Sequence, residues 1–159
     1  MERVRDRREG DDVADVLEAL YRAEYAGMVR LAFTLVGSNA EAEDLVQDSF
    51  VEVSRRLDEI GSPGGYLRSA VVSRCHSALR RRRVVAMHQP EPPPDLPREA
   101  GELWDVLARL SEDQRVAVVL RYYVGYRSSE IAKITDLPAA TVRSHLRRGL
   151  AALRKELDS

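Results

Sequence analysis

Cysteine is almost missing from this 159-residue chain, with Cys75 the only one. No internal disulfide can form and no cysteine zinc site can be built. Cys75 itself reads as a small buried side chain. Histidine is scarce as well: His76, His88 and His145 are scattered and lack metal-ligand spacing. There is no glycine-rich phosphate loop and no nucleophile motif, so dehydrogenase, hydrolase and kinase chemistry find no support. No enzyme activity, metal or cofactor is expected. No apolar run is long enough to cross a bilayer and no signal peptide is recognisable, so a cytoplasmic protein without membrane insertion is the expectation. Lysine is rare too: arginine outnumbers it 23 to 2, a skew that fits a GC-rich genome.

Excess charge of either sign is also lacking, since the net charge is −1. The charge is segregated instead. The span 74–83 carries five arginines and no acid, whereas 41–59 carries seven acids against two arginines. Local fields rather than the total would steer a nucleic acid.

What is present is helical periodicity throughout and no strand pattern. The expected fold class is all-α: two small helical domains joined by a Pro-rich linker, the second with a helix-turn-helix. Residues 1–11 are charged and aperiodic and are expected to fray. A first helix runs from about Asp12 to Val36, with Leu17, Tyr21, Tyr25, Met28, Ala32 and Leu35 at helical spacing. Ser38 or Asn39 caps a second helix that turns Ala42, Leu45, Val46, Val53 and Leu57 inward. The breaker Gly61-Ser62-Pro63-Gly64-Gly65 precedes a third helix from near Tyr66 into Arg80–Arg83. The first domain spans 12–86. Five of the seven prolines fall in the linker, 87–99, which reads as semi-extended. The second domain, 100–159, opens with Leu103, Trp104, Leu107 and Leu110, and continues through a helix capped by Ser111 that carries Val116, Val119, Leu120 and Tyr123.

Its last part holds the most informative pattern. A short helix around Ile131 and Ala132, a turn at Thr135-Asp136-Leu137-Pro138 and a long helix make a helix-turn-helix. Asp136 suits a left-handed turn position and Pro138 a helix start. In the long helix Val142, Leu146, Leu150, Leu153 and Leu157 form the apolar stripe. No acid occurs from Thr141 to Lys155. Arg forks two donors onto a guanine edge or a phosphate, and Ser or Thr bonds to either. Thr141, Arg143, Ser144, Arg147 and Arg148 are therefore the candidates for contacting duplex DNA.

Two faces of the first domain stand out. Glu43, Asp44, Gln47 and Asp48 lie opposite the apolar stripe of the second helix. They read either as acids favoured by the helix dipole or as a docking patch for a basic partner. On the third helix Leu67, Ala70, Val71, Cys75 and Ala78 face inward, while Ser69, Ser73, His76, Ser77 and Arg80 face outward. Small polar groups among cations suit a phosphate track; cations against a helix C-terminus are the alternative. Arg74 falls within the apolar arc and is assigned no role.

The segments Ala42-Glu43-Asp44-Leu45-Val46-Gln47-Asp48-Ser49-Phe50, Tyr66-Leu67-Arg68, Leu110-Ser111-Glu112-Asp113-Gln114-Arg115, Glu130-Ile131-Ala132 and Thr141-Val142-Arg143-Ser144 occur in that order. Together they resemble a bacterial RNA polymerase sigma factor of the extracytoplasmic-function (ECF) group, within the sigma-70 family. The resemblance implies that the first domain is sigma region 2 and the second sigma region 4. It implies that Asp44, Gln47 and Asp48 grip the β′ clamp helices of core RNA polymerase. It places Ser69, Ser73, His76, Ser77 and Arg80 at the promoter −10 element, and the Gly61–Gly65 loop where a flipped base is captured, though this loop carries no aromatic of its own. It places the recognition helix at the −35 element, and sets Leu107, Val118 and Tyr122 against the β flap. His145 stands where Arg is common in the family, and Asp136 where a turn Gly is usual. An anti-sigma factor is a further partner by analogy.

Two other readings remain open. Thr141-Val142-Arg143-Ser144-His145-Leu146 also resembles a LuxR-like helix-turn-helix, although no strand–helix receiver precedes it. A protein–protein adaptor of the transcription machinery would use the acidic patch without DNA.

Overall fold

The computed structural model describes residues 2–88 and 101–159, with residues 2–9 as backbone alone. The described residues form helices and connecting turns, without strands. Helix α1 covers Glu2–Val36, ten residues more than the periodicity from Asp12 predicts. Residues 2–9 are mostly Arg and Glu, good helix formers without a Pro, so the backbone continues the helix beyond its packed part. Tyr21, expected inward, lies on the rim of α1 and stacks on Tyr25 with ring centroids 4.5 Å apart.

Gly37 ends α1 in the left-handed region, at φ 74°. Ser38 then caps α2 (Asn39–Arg55), its Oγ accepting from the Glu41 N–H at 3.3 Å. A single 3₁₀ turn, Leu57–Glu59, follows, and α3 runs Pro63–His88. Pro63 fits a first helical turn because its missing N–H is not needed there. The glycines 64 and 65 therefore lie inside α3 rather than in the preceding loop. α3 reaches His88, past the expected domain end at 86. The rest of the expected linker lies outside the described residues.

α1, α2 and α3 pack mutually. Leu31, Leu35, Val46, Val53, Leu67, Val71, Cys75 and Leu79 are fully enclosed. Each such Leu or Val contributes about 1.5–3 kcal/mol relative to exposure. Ser49 is a buried polar side chain within this packing, and its hydroxyl donates to the Leu45 carbonyl at 2.8 Å. Burial without a partner is thereby avoided.

The second half comprises α4 (Gly101–Ala108), α5 (Glu112–Val118), α6 (Ser128–Thr135) and α7 (Ala139–Leu157). Ser111 and Gln114 close a reciprocal capping box at the start of α5. α5 passes without a break into a π-helical turn, Val119–Val124, that stops at Gly125 with φ 88°. The wider turn takes more residues to complete, which shifts the phase, and Tyr123 points to solvent instead of the core. Leu103 is exposed as well.

In α7 the buried side is Val142, Leu146 and Gly149, with Leu153 packed beside them. Leu150 and Leu157, expected on this stripe, are exposed, Leu157 at 77%. Position 149 takes the inward place because a Cβ there would lie 2.9 Å from Val118 Cγ2. Absence of a side chain lets α5 and α7 approach.

The buried residues of both halves form one continuous cluster. Trp104 joins them, its ring tilted on Phe33 with centroids 5.0 Å apart. Arg115 reaches from α5 to the Leu35 carbonyl at 3.1 Å.

Candidate nucleic-acid interface

The helix-turn-helix consists of α6, the turn 136–138 and α7. Asp136 adopts φ 55° and ψ 38°, the left-handed turn conformation expected of it. Its N–H and that of Leu137 return to the Ala132 carbonyl, which closes α6. Pro138 stands at the N-cap of α7. Ile131 and Val142 are fully buried and lock the two helices together. Arg143, Arg147 and Arg148 project into solvent, while Thr141 and Ser144 are half-buried beside them. The first turns of α7 thus offer three cations and two hydroxyls on a run free of acids, a set suited to base edges and phosphates. His145 turns away from this group. Its Nε2 lies 4.0 Å from Asp113 Oδ2.

The five outward candidates on α3 lie along one face that borders several hollows. Ser69, Ser73 and Ser77 line a groove of about 490 Å³ between α2 and α3, with Asp48, Glu52, Tyr66, Arg74 and Arg81. His76 and Arg80 line the seam between the two halves instead, facing Glu112, Asp113 and His145. Residues three and four apart are neighbours on a helix, so the five share one face; Ser77 and Arg80 also line a common hollow with Arg81, and the second half meets this face along its His76 edge.

Arg74, assigned no role from sequence, donates to Glu52 Oε2 at 2.7 Å. The Tyr66 hydroxyl donates to the other Glu52 oxygen at 2.7 Å and accepts from Arg56 at 2.9 Å. The Tyr66 hydrogen bond holds the Glu52 carboxyl below its ordinary range; burial opposes this, and Arg74 and Arg56 add to the lowering. This chain of contacts fixes α2 to α3 beneath the groove. Tyr66 also walls the adjoining cleft of Arg56, Ile60, Gly61, Ser62, Gly65 and Ser69. The loop 61–65 lacks an aromatic of its own, and Tyr66, one position beyond it, stands at its edge.

Glu43, Asp44, Gln47 and Asp48 are all exposed on α2, on the side opposite Ala42, Leu45, Val46 and Ser49. The carboxylates of Asp44 and Asp48 make no ion pair among the described residues. Leu107, Val118 and Tyr122 come together in an apolar groove of about 540 Å³, also lined by Leu103, Val106, Tyr123 and Leu153. Among the described residues no group of acids, histidines and cysteine is arranged to hold a metal ion, and no helix is long and apolar enough to cross a membrane.

Comparison with known proteins matches the two halves separately. Residues 20–84 fit the Sigma-70 region 2 family and residues 100–153 the Sigma-70 region 4 family. The RNA polymerase sigma-E factor of Streptomyces coelicolor is 32% identical over 88% of this chain and 85% of its own length. That of Streptomyces avermitilis is 30% identical, over 89% and 85%. The ECF RNA polymerase sigma factor SigL of Mycobacterium tuberculosis is 29% identical, over 91% and 90%. Among solved structures, the Bartonella quintana sigma factor RpoE in complex with the anti-sigma factor NepR superposes with a TM-score of 0.60 at 24% identity, covering 95% of this chain and 97% of that one. CnrH in complex with the cytosolic domain of CnrY also gives 0.60, at 21% identity, covering 91% and 89%. These two likenesses concern the fold. With both halves matched in order and relatives aligned over most of their length, this chain belongs to the extracytoplasmic-function group of the sigma-70 family of RNA polymerase sigma factors.

Proposed function

We propose that the chain binds core RNA polymerase and directs it to promoters, with the residues divided as follows. Arg143, Arg147 and Arg148, with Thr141 and Ser144, read the −35 element as duplex. Ser69, Ser73 and Ser77, with His76 and Arg80, meet the −10 element as its strands separate. Asp44, Gln47 and Asp48 hold the β′ clamp helices, and the groove of Leu107, Val118 and Tyr122 receives the β flap. The protein acts in the cytoplasm and carries out no catalysis of its own.

The observation that supports this reading is the pairing, in one chain, of an exposed cationic helix face and a hydroxyl-lined groove. The α7 face is convex and cationic, suited to an intact major groove. The α3 surface is a groove lined by small hydroxyls beside Tyr66, suited to unstacked single-stranded bases. A repressor or activator needs the first alone. Tethering both to polymerase lets weak individual contacts add through effective concentration. An anti-sigma factor is a reasonable further partner, because RpoE of Bartonella quintana is bound to one in the solved complex.

The decisive experiment adds the purified chain to sigma-free core polymerase and follows run-off transcription from genomic promoter fragments. Defined transcripts that depend on the chain are the expected result. DNA binding without initiation would favour a LuxR-like regulator, and core binding without DNA binding an adaptor.

A further inference from the structure

Tyr66, in the first turn of α3, borders two hollows at once. One is the groove of about 490 Å³ between α2 and α3. The other is the cleft of about 390 Å³ beside the loop 61–65. Tyr66 and Ser69 are the residues that line both. Each volume lies in the range of about 300–1,000 Å³ usual for small-molecule sites, so each has room for a nucleobase. The Tyr66 side chain is half-buried and stands where the two hollows meet.

The χ2 torsion of a tyrosine is broad, so the plane of the ring is set by what holds its far end. Here the Tyr66 hydroxyl is held from two sides. It donates to Glu52 Oε1 at 2.7 Å and accepts from Arg56 Nη1 at 2.9 Å. The Arg56 guanidinium lies 6.0 Å from the ring centroid. Glu52 is held in turn by Arg74, which donates from Nη2 to Oε2 at 2.7 Å. The Arg74 and Glu52 side chains are only 36% and 32% exposed. A phosphate would have to displace the carboxylate to reach Arg74.

We propose that Glu52 is a positioning residue for promoter opening: it aims the Tyr66 ring as a partition, so that two successive unstacked bases seat one on each side of it. The groove takes one base beside Ser69 and Ser73, and the cleft takes its neighbour beside Ser62 and Gly65. Stacking on an aromatic ring tolerates any base, so the partition spaces the strand and leaves selection to the hydroxyls. Arg74 serves the same end by holding Glu52, which gives a role to a cation that periodicity places in the apolar arc. The partition rests on the promoter-opening reading of the chain, whereas the tether on Tyr66 does not.

The test uses the full chain and a single strand of roughly ten nucleotides made of 2-aminopurine throughout, so that every binding register brings an adjacent pair to the partition. Stacked 2-aminopurines quench each other, and their fluorescence rises when they are separated. Saturation with the parent chain should raise it. Tyr66→Ala should abolish the rise and weaken binding by about tenfold, the worth of one stacked base. Glu52→Ala should remove most of the rise while binding weakens far less than in Tyr66→Ala, because the change also frees Arg74 for a phosphate. Glu52→Gln keeps an oxygen that accepts from Tyr66 and should restore the rise. Tyr66→Phe keeps the ring without its tether and should behave as Glu52→Ala does. Signal and affinity falling together in step with the melting temperature would make Glu52 a structural residue and overturn the proposal. A full rise in Glu52→Ala or Tyr66→Phe would overturn it as well, as would a parent chain that binds the strand without a rise or does not bind it. Run-off transcription by the parent chain with core polymerase reads promoter function separately. Transcripts without a fluorescence rise would leave that function standing and remove the partition.

Discussion

Trp104 lies against the backbone of Gly37 so closely that a Cβ added there would sit 2.8 Å from its Cζ2. Position 37 thus meets two demands, a left-handed turn at the end of α1 and room for the indole from the second half. Gly37→Ala should destabilise the protein by about 2 kcal/mol or more, from backbone strain plus steric conflict. Trp104 is the chain's one tryptophan, so its fluorescence in a urea titration reads the effect directly. An unshifted midpoint and emission maximum would show that the indole has moved off without cost.

Gly149 holds the second half together in a similar way. A methyl there meets Val118 Cγ2 at 2.9 Å and Gln114 Cβ at 3.4 Å. Val is stiff at χ1, so the contact is not relieved by simple rotation. Overpacking costs about 1–3 kcal/mol, while alanine gains about 1 kcal/mol in helix propensity. Gly149→Ala should therefore lower stability modestly, by about 1 kcal/mol. A rise in the thermal midpoint would mean that α5 and α7 separate freely.

Arg148 is exposed on the cationic side of α7. If it forks onto a base edge, Arg148→Ala should weaken promoter binding by about 1–3 kcal/mol and relax selection at one −35 position. Competition binding against single-base promoter variants measures both. Uniform weakening across all sequences would make it a phosphate contact instead.

Gln47→Ala combined with Asp48→Ala should reduce affinity for core polymerase while leaving the melting temperature nearly unchanged, since both side chains are exposed. Pull-down with sigma-free core and a thermal melt form the pair of measurements. Full retention of core affinity would return the acidic patch to a helix-dipole role.

Low pH should loosen the seam. Burial first, and then Arg80 and Arg83, hold the His76 imidazole below its ordinary value, although Glu112 and Asp113 act the other way; His145 also faces it. The packed seam therefore favours the neutral ring, and the unfolded chain takes up the proton first. Stability from this contact is fully present above the ordinary imidazole range and declines as pH falls below about 6.5. Urea midpoints at pH 8 and pH 5.5 should differ by more in the parent chain than in His76→Gln. An equal pH response in that variant would place the titrating group elsewhere.

Much of the architecture was legible because long amphipathic helices announce themselves by periodicity. The helix-turn-helix was readable from Asp136, Pro138 and the acid-free run in α7. Periodicity failed where backbone geometry departs from 3.6 residues per turn or where packing rewards the absence of a side chain. Leu150 looked inward because it is leucine, yet Gly149 occupies that place. Tyr123 looked inward on an α-helical count, and the π turn carries it outside. The half-burial of His76 was not legible at all, because it depends on the second half meeting α3 through α6 and the start of α5, a contact distant in sequence.

The π turn at Val119–Val124 has one more consequence. A helix advances about 100° per residue, so one surplus residue there is enough to swing everything downstream to a different side. Tyr122 and Tyr123 open onto the apolar groove, and Gly125 releases the chain toward α6, in the phase set by that surplus. The spacing between the Ser111 cap and Gly125 works as a gear tooth count for the second half. A relative one residue shorter in this stretch would turn a different pair of side chains toward the groove while keeping every other helix of the fold.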